Sequence, residues 1–205
     1  MALTIEDFGG RVATIWSELR PTTRKLVEHA LQPLTLPVSP ARNAPYDARA
    51  DLELSKLLAA LDEGASETVA PGHEKSERLR QVADTCAAML QERTQSAEVF
   101  VQLVERAQAR HDYKRIDALA DALMRRFAAS EICELARSQN NVVRALAEET
   151  LAQLPTPLLI GLLQDPLDAE VGRQALQRQA REFGVEHAQD VVSALDQIDL
   201  NSEDI

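Results

Sequence analysis

Residues Asn140 to Ala180 read "NNVVRALAEETLAQLPTPLLIGLLQDPLDAEVGRQALQRQA", and two segments inside them, VVRALAEETL and EVGRQALQRQA, are versions of one another. Sliding the chain by 27 or 28 residues brings like onto like over a wider span. Val104 meets Ile132 and then Leu159, and Ala107 meets Leu135 and then Leu162. Ile116 meets Val143 and Val171; Ala120 meets Ala147 and Ala175; Phe127 meets Leu154 and, with one residue of slack, Phe183. Three copies result, at about Ala97–Phe127, Ala128–Leu154 and Pro155–Phe183.

The punctuation makes each copy a pair of helices joined by a short turn. Ser130 and Thr156 precede the first helices of copies two and three as capping hydroxyls, and Pro157 follows Thr156 at a first helical position. Asp165 and Pro166 repeat the device before the second helix of copy three, where Asp168 favours the first turn. A single short helical hairpin cannot bury its apolar face alone, whereas stacked copies bury their faces on each other. The alanine column lets neighbouring helices approach closely.

"DPLDAEVGRQALQ" and "NNVVRALAEETL" resemble the second helix of HEAT-like repeats of the short type found in phycobilisome-lyase relatives, over about residues 97–183. The resemblance implies an all-α fold, an α-solenoid of stacked helical hairpins, with a function exerted through its surface. Copy one departs from the pattern with "KRID" at 114–117, and copy three places Gly172 between Val171 and Arg173. The glycine that often ends such repeats is missing from copies one and two.

Outward from the repeats, the domains expected are N-terminal helices over 1–62, a helical-repeat domain over 74–200 and an acidic tail at 201–205. Thr4 is placed to cap a helix running to Leu19, weakened by Gly9-Gly10, and Pro21 opens a second helix ending near Leu31. A proline-rich connector spans about 32–48. A helix follows over about 47–61, with Leu52, Leu54, Leu57, Leu58 and Leu61 assigned to its apolar face, and then a loop, "DEGASETVAPGH". The final stretch, "VEHAQDVVSALDQIDL", presents Val191, Val192, Leu195 and Ile198 on one face and acids on the other, as a C-terminal capping helix should. Ile5, Phe8, Val12, Ile15, Trp16 and Leu19 form an apolar stripe that either covers the first repeat or pairs with its copy in a twofold homodimer.

Composition narrows the function. The net charge is −11, and after Arg181 there are seven acids and no Lys or Arg. Proteins that grip a phosphate backbone carry a basic stripe instead. Aromatics make up 3% of the chain, and Trp16, its one tryptophan, lies outside the repeats, which disfavours a nucleic-acid groove. No apolar run approaches the roughly 20 residues of a membrane span, and "MALTIEDFGG" lacks a secretory layout. Cys86 and Cys133 form no CxxC pair, and both sit in apolar helical patterns, which fits reduced thiols in the cytoplasm.

None of His29, His73, His111 and His187 has metal-ligand spacing, and no phosphate-cradling glycine loop occurs, so no cofactor or metal is expected. No nucleophile with a partnered base stands out. The polar residues that align between copies are Asp117 with Arg144 and Asp121 with Glu148. With Arg173 they are the candidate protein-binding residues, a charged ridge on the second helices in which Asp117 lies near Arg144. The expected role is a non-catalytic adaptor or scaffold. A nucleic-acid-handling solenoid and a lyase-like enzyme are the alternatives that the resemblance leaves open.

Overall fold

The computed structural model describes residues 5–31, 46–67 and 74–202, and the side chains of Glu67 and of 198–202 are not among those described. The protein is all-α. Among the described residues there are eleven α-helices: α1 (Gly10–Glu18), α2 (Pro21–Leu31), α3 (Ala48–Glu67), α4 (Glu74–Arg93), α5 (Ala97–Ala109), α6 (Tyr113–Arg126), α7 (Ala129–Ala136), α8 (Asn141–Gln153), α9 (Thr156–Leu162), α10 (Ala169–Arg178) and α11 (Glu186–Ser202). A 3-10 turn, Ile5–Phe8, precedes α1, and a π-turn, Gln179–Phe183, follows α10. The chain divides within α5 into two compact units, 1–103 and 104–205.

In the first unit, the N-terminal stripe is used internally. Phe8, Val12, Trp16 and Leu19 are buried and Ile5 and Ile15 half-buried. The 3-10 turn packs on α1 and α4, and α1 packs on α3. The single helix expected from residue 5 to Leu19 is broken at Gly9, whose φ of 135° lies where only glycine rests comfortably. Thr4, its expected cap, lies outside the described residues.

Helix α3 supplies Leu54, Leu57, Leu58 and Leu61 to the core, spaced so that they share one face, and α4 supplies Leu79, Val82, Ala83, Cys86, Ala87 and Leu90. Each fully buried leucine contributes about 1.5–3 kcal/mol. Leu52 is 43% exposed, because two residues before Leu54 the helix points to the opposite side. Asp47 caps α3 by accepting from the backbone N–H of Arg49 and Ala50, at 3.0 and 3.1 Å. Glu53 accepts from Arg20 Nε at 2.9 Å and from the Thr23 hydroxyl, which fastens the start of α2 to α3. The loop expected over 62–73 begins later, since α3 continues to Glu67, and a Cβ at Gly64 would lie 3.4 Å from Leu79 Cδ1. The rest of that loop, and the connector at 32–45, lie outside the described residues.

In the second unit, α7 packs with α8 and α9 with α10, while α6 packs on α8, α8 on α10, and α7 on α9. The repeat columns are largely core. Val104, Ile132 and Leu159 are buried, as are Ala107, Leu135 and Leu162. Ile116 and Val143 are buried with Val171 half-buried; Ala147 and Ala175 are buried with Ala120 half-buried. The last column breaks at Phe183, which is 50% exposed whereas Phe127 and Leu154 are buried. The π-turn holds an extra residue per turn, so Phe183 rotates out of register. Gln179 is buried there, accepting from Thr156 Oγ1 at 3.0 Å and donating to the Leu154 carbonyl at 2.5 Å.

Helix starts depart from the expected caps by one to three residues. Ser130 lies inside α7, whose N-cap is Ala128. Thr156 is helical and spends its hydroxyl on Gln179, with Pro155 at the N-cap of α9. Asp165 forms a turn by accepting from the Leu167 N–H at 2.9 Å, and Asp168 stands at the N-cap of α10. The side chains that do cap are Asp112, accepting from Arg115 N at 3.1 Å, and Asn140, accepting from Val142 N at 3.0 Å and Val143 N at 3.3 Å. Helix α5 closes through His111 at φ 54°, with Asp112 N bonded to the Ala107 carbonyl and His111 N to the Gln108 carbonyl. Helix α11 packs on α10 and the π-turn, with Val191, Val192 and Leu195 half-buried.

Candidate functional site

Helices α6, α8 and α10 carry the five candidate residues. Asp117 and Asp121 on α6 and Glu148 on α8 are exposed, while Arg144 on α8 and Arg173 on α10 are half-buried. The three carboxylates form no ion pair among the described residues. Arg144 does not complete the expected ladder with Asp117. It folds back over the α7–α8 turn, donating to the Ser138 carbonyl at 2.9 Å and to Asn141 Oδ1 at 2.6 Å. A guanidinium has five donors in a rigid fork, and a nearby carbonyl and amide satisfy two of them without crossing between helices. Arg173 is engaged.

Other polar residues connect the copies. The Asn140 amide donates to Gln108 Oε1 at 2.8 Å, linking the α7–α8 turn to the end of α5. Arg137 Nη1 donates to Asp168 Oδ1 at 2.8 Å and to the Leu167 carbonyl at 3.0 Å, linking the end of α7 to the α9–α10 turn. Both links run from the end of a first helix to the N-cap of the second helix one copy later. Arg178 adds a third, to Glu149 at 2.5 Å, and pairs with Glu182 along its own helix at 2.8 Å. Sequence reading missed all three. The signal was there in the spacing of Gln108 to Arg137 and Asn140 to Asp168, close to one repeat period, but the residue types differ.

The exposed apolar side chains of this unit are Tyr113 at the start of α6, Met124 near its end, Leu158 on α9, Leu167 in the turn before α10 and Phe183. Leu167 is 77% and Tyr113 67% exposed, so both turn edges offer apolar surface to solvent.

Nucleophilic chemistry finds little support. The Cys133 thiol is fully buried, and burial, reinforced by Asp168 and Asp165 and opposed by Arg137, pushes it up to about 11. It is therefore a thiol, not a thiolate, at neutral pH. Cys86 is also buried. His29, His111 and His187 are exposed, and His73 lies outside the described residues. Among the described residues no group of three or more His, Cys, Asp or Glu side chains is arranged to hold a metal. A shallow depression on α2, lined by Thr22, Lys25, Leu26, Glu28 and His29, has walls from that helix alone. No helix among the described residues is long and apolar enough to cross a membrane.

No family model, curated protein or solved structure matches the chain.

Proposed function

We propose that the chain is a non-catalytic protein-binding adaptor or scaffold whose second unit is a short HEAT-like stack. The row of second helices α6, α8 and α10, the buried repeat columns and the two equivalent turn-to-helix links support the stack. Helix α11 is its polar-backed cap. The buried free thiols Cys86 and Cys133 agree with a cytoplasmic setting.

One observation carries the binding role: Asp117, Asp121 and Glu148 stand exposed and unneutralised on neighbouring helices. Within the fold they contribute little, since exposed charges are well solvated. A partner with basic groups set among apolar ones would find both complements here, carboxylates on the helices and Tyr113 and Leu167 at the turn edges. Affinity for such a partner falls with added salt.

The test is capture of proteins from a cell extract on immobilised wild type and on a triple variant, Asp117→Lys, Asp121→Lys and Glu148→Lys, matched for melting temperature. Saturable, salt-sensitive capture by wild type, lost in the variant, is expected. Equal capture by both proteins would refute the role of these residues. Retention on duplex DNA with a steep salt dependence would move the reading to nucleic acid.

A further inference from the structure

The first unit contains a carboxylate that neither the fold nor the proposed adaptor role uses. Asp51, in the first turn of α3, is 4% exposed, and its Oδ2 has no hydrogen-bond partner. The carboxylate receives hydrogen bonds from the hydroxyls of Thr94 and Tyr46. Thr94 is fully buried in the turn between α4 and α5, its single hydroxyl proton having Asp51 and the Tyr46 oxygen as alternative acceptors, and that oxygen also accepts from the Gln95 backbone N–H. The cluster thus joins two pieces of chain distant in sequence: residues 46–51 at the start of α3 and the α4–α5 turn.

We infer that Asp51, Tyr46 and Thr94 form a proton-dependent latch, which holds the start of α3 to the α4–α5 turn more tightly when Asp51 is protonated. An ionised carboxylate buried with one oxygen unsolvated is poorly accommodated, whereas the neutral acid loses far less on leaving water. The charged groups facing it nearly oppose one another. Arg93, at the end of α4, favours the ionised form, and Asp47, at the start of α3, disfavours it. Burial outweighs the hydrogen bonds from Thr94 and Tyr46 and the Arg93 charge, all of which favour the ionised form, and holds the Asp51 carboxyl above the usual carboxylate range. Tyr46 is held above the usual phenol range, by burial first and then by Asp51.

The sign follows from linkage. An acid whose folded value lies above its unfolded value stabilises the fold at low pH, and that contribution is lost as pH rises through the folded value. The latch therefore loosens on going upward from the ordinary aspartate value of about 3.9. Asp47 does not mask this, because the Ala50 backbone N–H and Arg20 hold it below the usual carboxylate range and it stays ionised throughout.

The experiment follows thermal unfolding of wild type and Asp51→Asn from pH 4.5 to 8. The amide keeps an acceptor for Thr94 and Tyr46 but cannot ionise. The variant is expected to melt above wild type by about 2–4 °C at pH 8, with the gap closing toward pH 4.5. A gap independent of pH, or a variant that melts lower at pH 8 than wild type, overturns the latch. A second readout holds if the variant unfolds. In Tyr113→Phe protein, Tyr46 is the one tyrosine left of two, and its ultraviolet phenol titration reports the cluster. Titrated upward from about pH 3.9, the ordinary aspartate value, its near-ultraviolet spectrum should change in a single step as Asp51 ionises. A flat spectrum across that range also overturns the latch.

Discussion

Helix α10 approaches α9 closely at Gly172, and replacing it by alanine tests the packing of α9 on α10 directly. A Cβ at this position would come 3.0 Å from Leu162 Cβ, 3.3 Å from the Leu159 carbonyl oxygen and 3.6 Å from Leu163 Cδ2. Neither of the two nearest atoms can swing aside, since one is a Cβ and the other is backbone. The whole of α9 must therefore shift by a few tenths of an ångström. Helix propensity works the other way, because alanine is better than glycine in a helix interior by about 0.8–1 kcal/mol. Overpacking a closed contact costs about 1–3 kcal/mol. The net expectation is a loss of up to about 2 kcal/mol, a fall in melting temperature of a few degrees at about 2–4 °C per kcal/mol. Gly161, on α9, is the internal control: it is exposed and a Cβ there meets nothing within 4 Å. Gly161→Ala should raise stability by about 0.5–1 kcal/mol. Chemical denaturation of the two variants side by side should give opposite signs. If Gly172→Ala is as stabilising as Gly161→Ala, the helices do not approach this closely and the α9–α10 packing described above is wrong.

Three further outcomes are expected. Arg137→Ala should lose about 1–3 kcal/mol, because it leaves the Asp168 carboxylate, 5% exposed, without its guanidinium; a double-mutant cycle with Asp168→Asn showing no coupling would refute the link. Ala147→Leu should overpack the α8 contacts and lose about 1–3 kcal/mol in a thermal melt; an unchanged melt would count against the repeat register. His111→Gly should gain up to about 1 kcal/mol, since His111 sits at φ 54° where a Cβ is strained, and a loss of stability in urea unfolding would show that the turn is held another way.

What the sequence disclosed, and what it hid, follows the range of the forces involved. Apolar periodicity is local and repeated, so Leu54, Leu57, Leu58 and Leu61 are legible as one buried face, and so are the columns led by Val104 and Ala107. Leu52, expected on the same face from the apolar pattern, lies two residues before Leu54 and so on the opposite side, and it is exposed. Caps depend on a single residue's position, and here tertiary demand decides: Thr156 serves Gln179 and not its own helix. The exposure of Asp117, Asp121 and Glu148 follows from their place on helix faces. The partner of Arg144 does not, because a long flexible side chain takes the nearest acceptor that the folded turn supplies. Asp51 was invisible for the same reason, since its burial depends on residues more than 40 positions away, at Thr94 and Gln95.

The two turn-to-helix links occupy matching places but differ in kind. One is an amide donating to an amide, Asn140 to Gln108, and the other a guanidinium on a carboxylate, Arg137 to Asp168. Each junction therefore has its own identity. In the HEAT-like stack we propose, a copy slipped one place along would set the Arg137 guanidinium against an amide, or leave Asp168 facing the neutral Gln108 with a buried charge unmatched. Similar apolar columns would accept such a slip, since leucine, isoleucine and valine interchange readily in a helical core. The polar junctions do not, so in the stack we propose they would encode the order of the copies where the core would encode only that they stack.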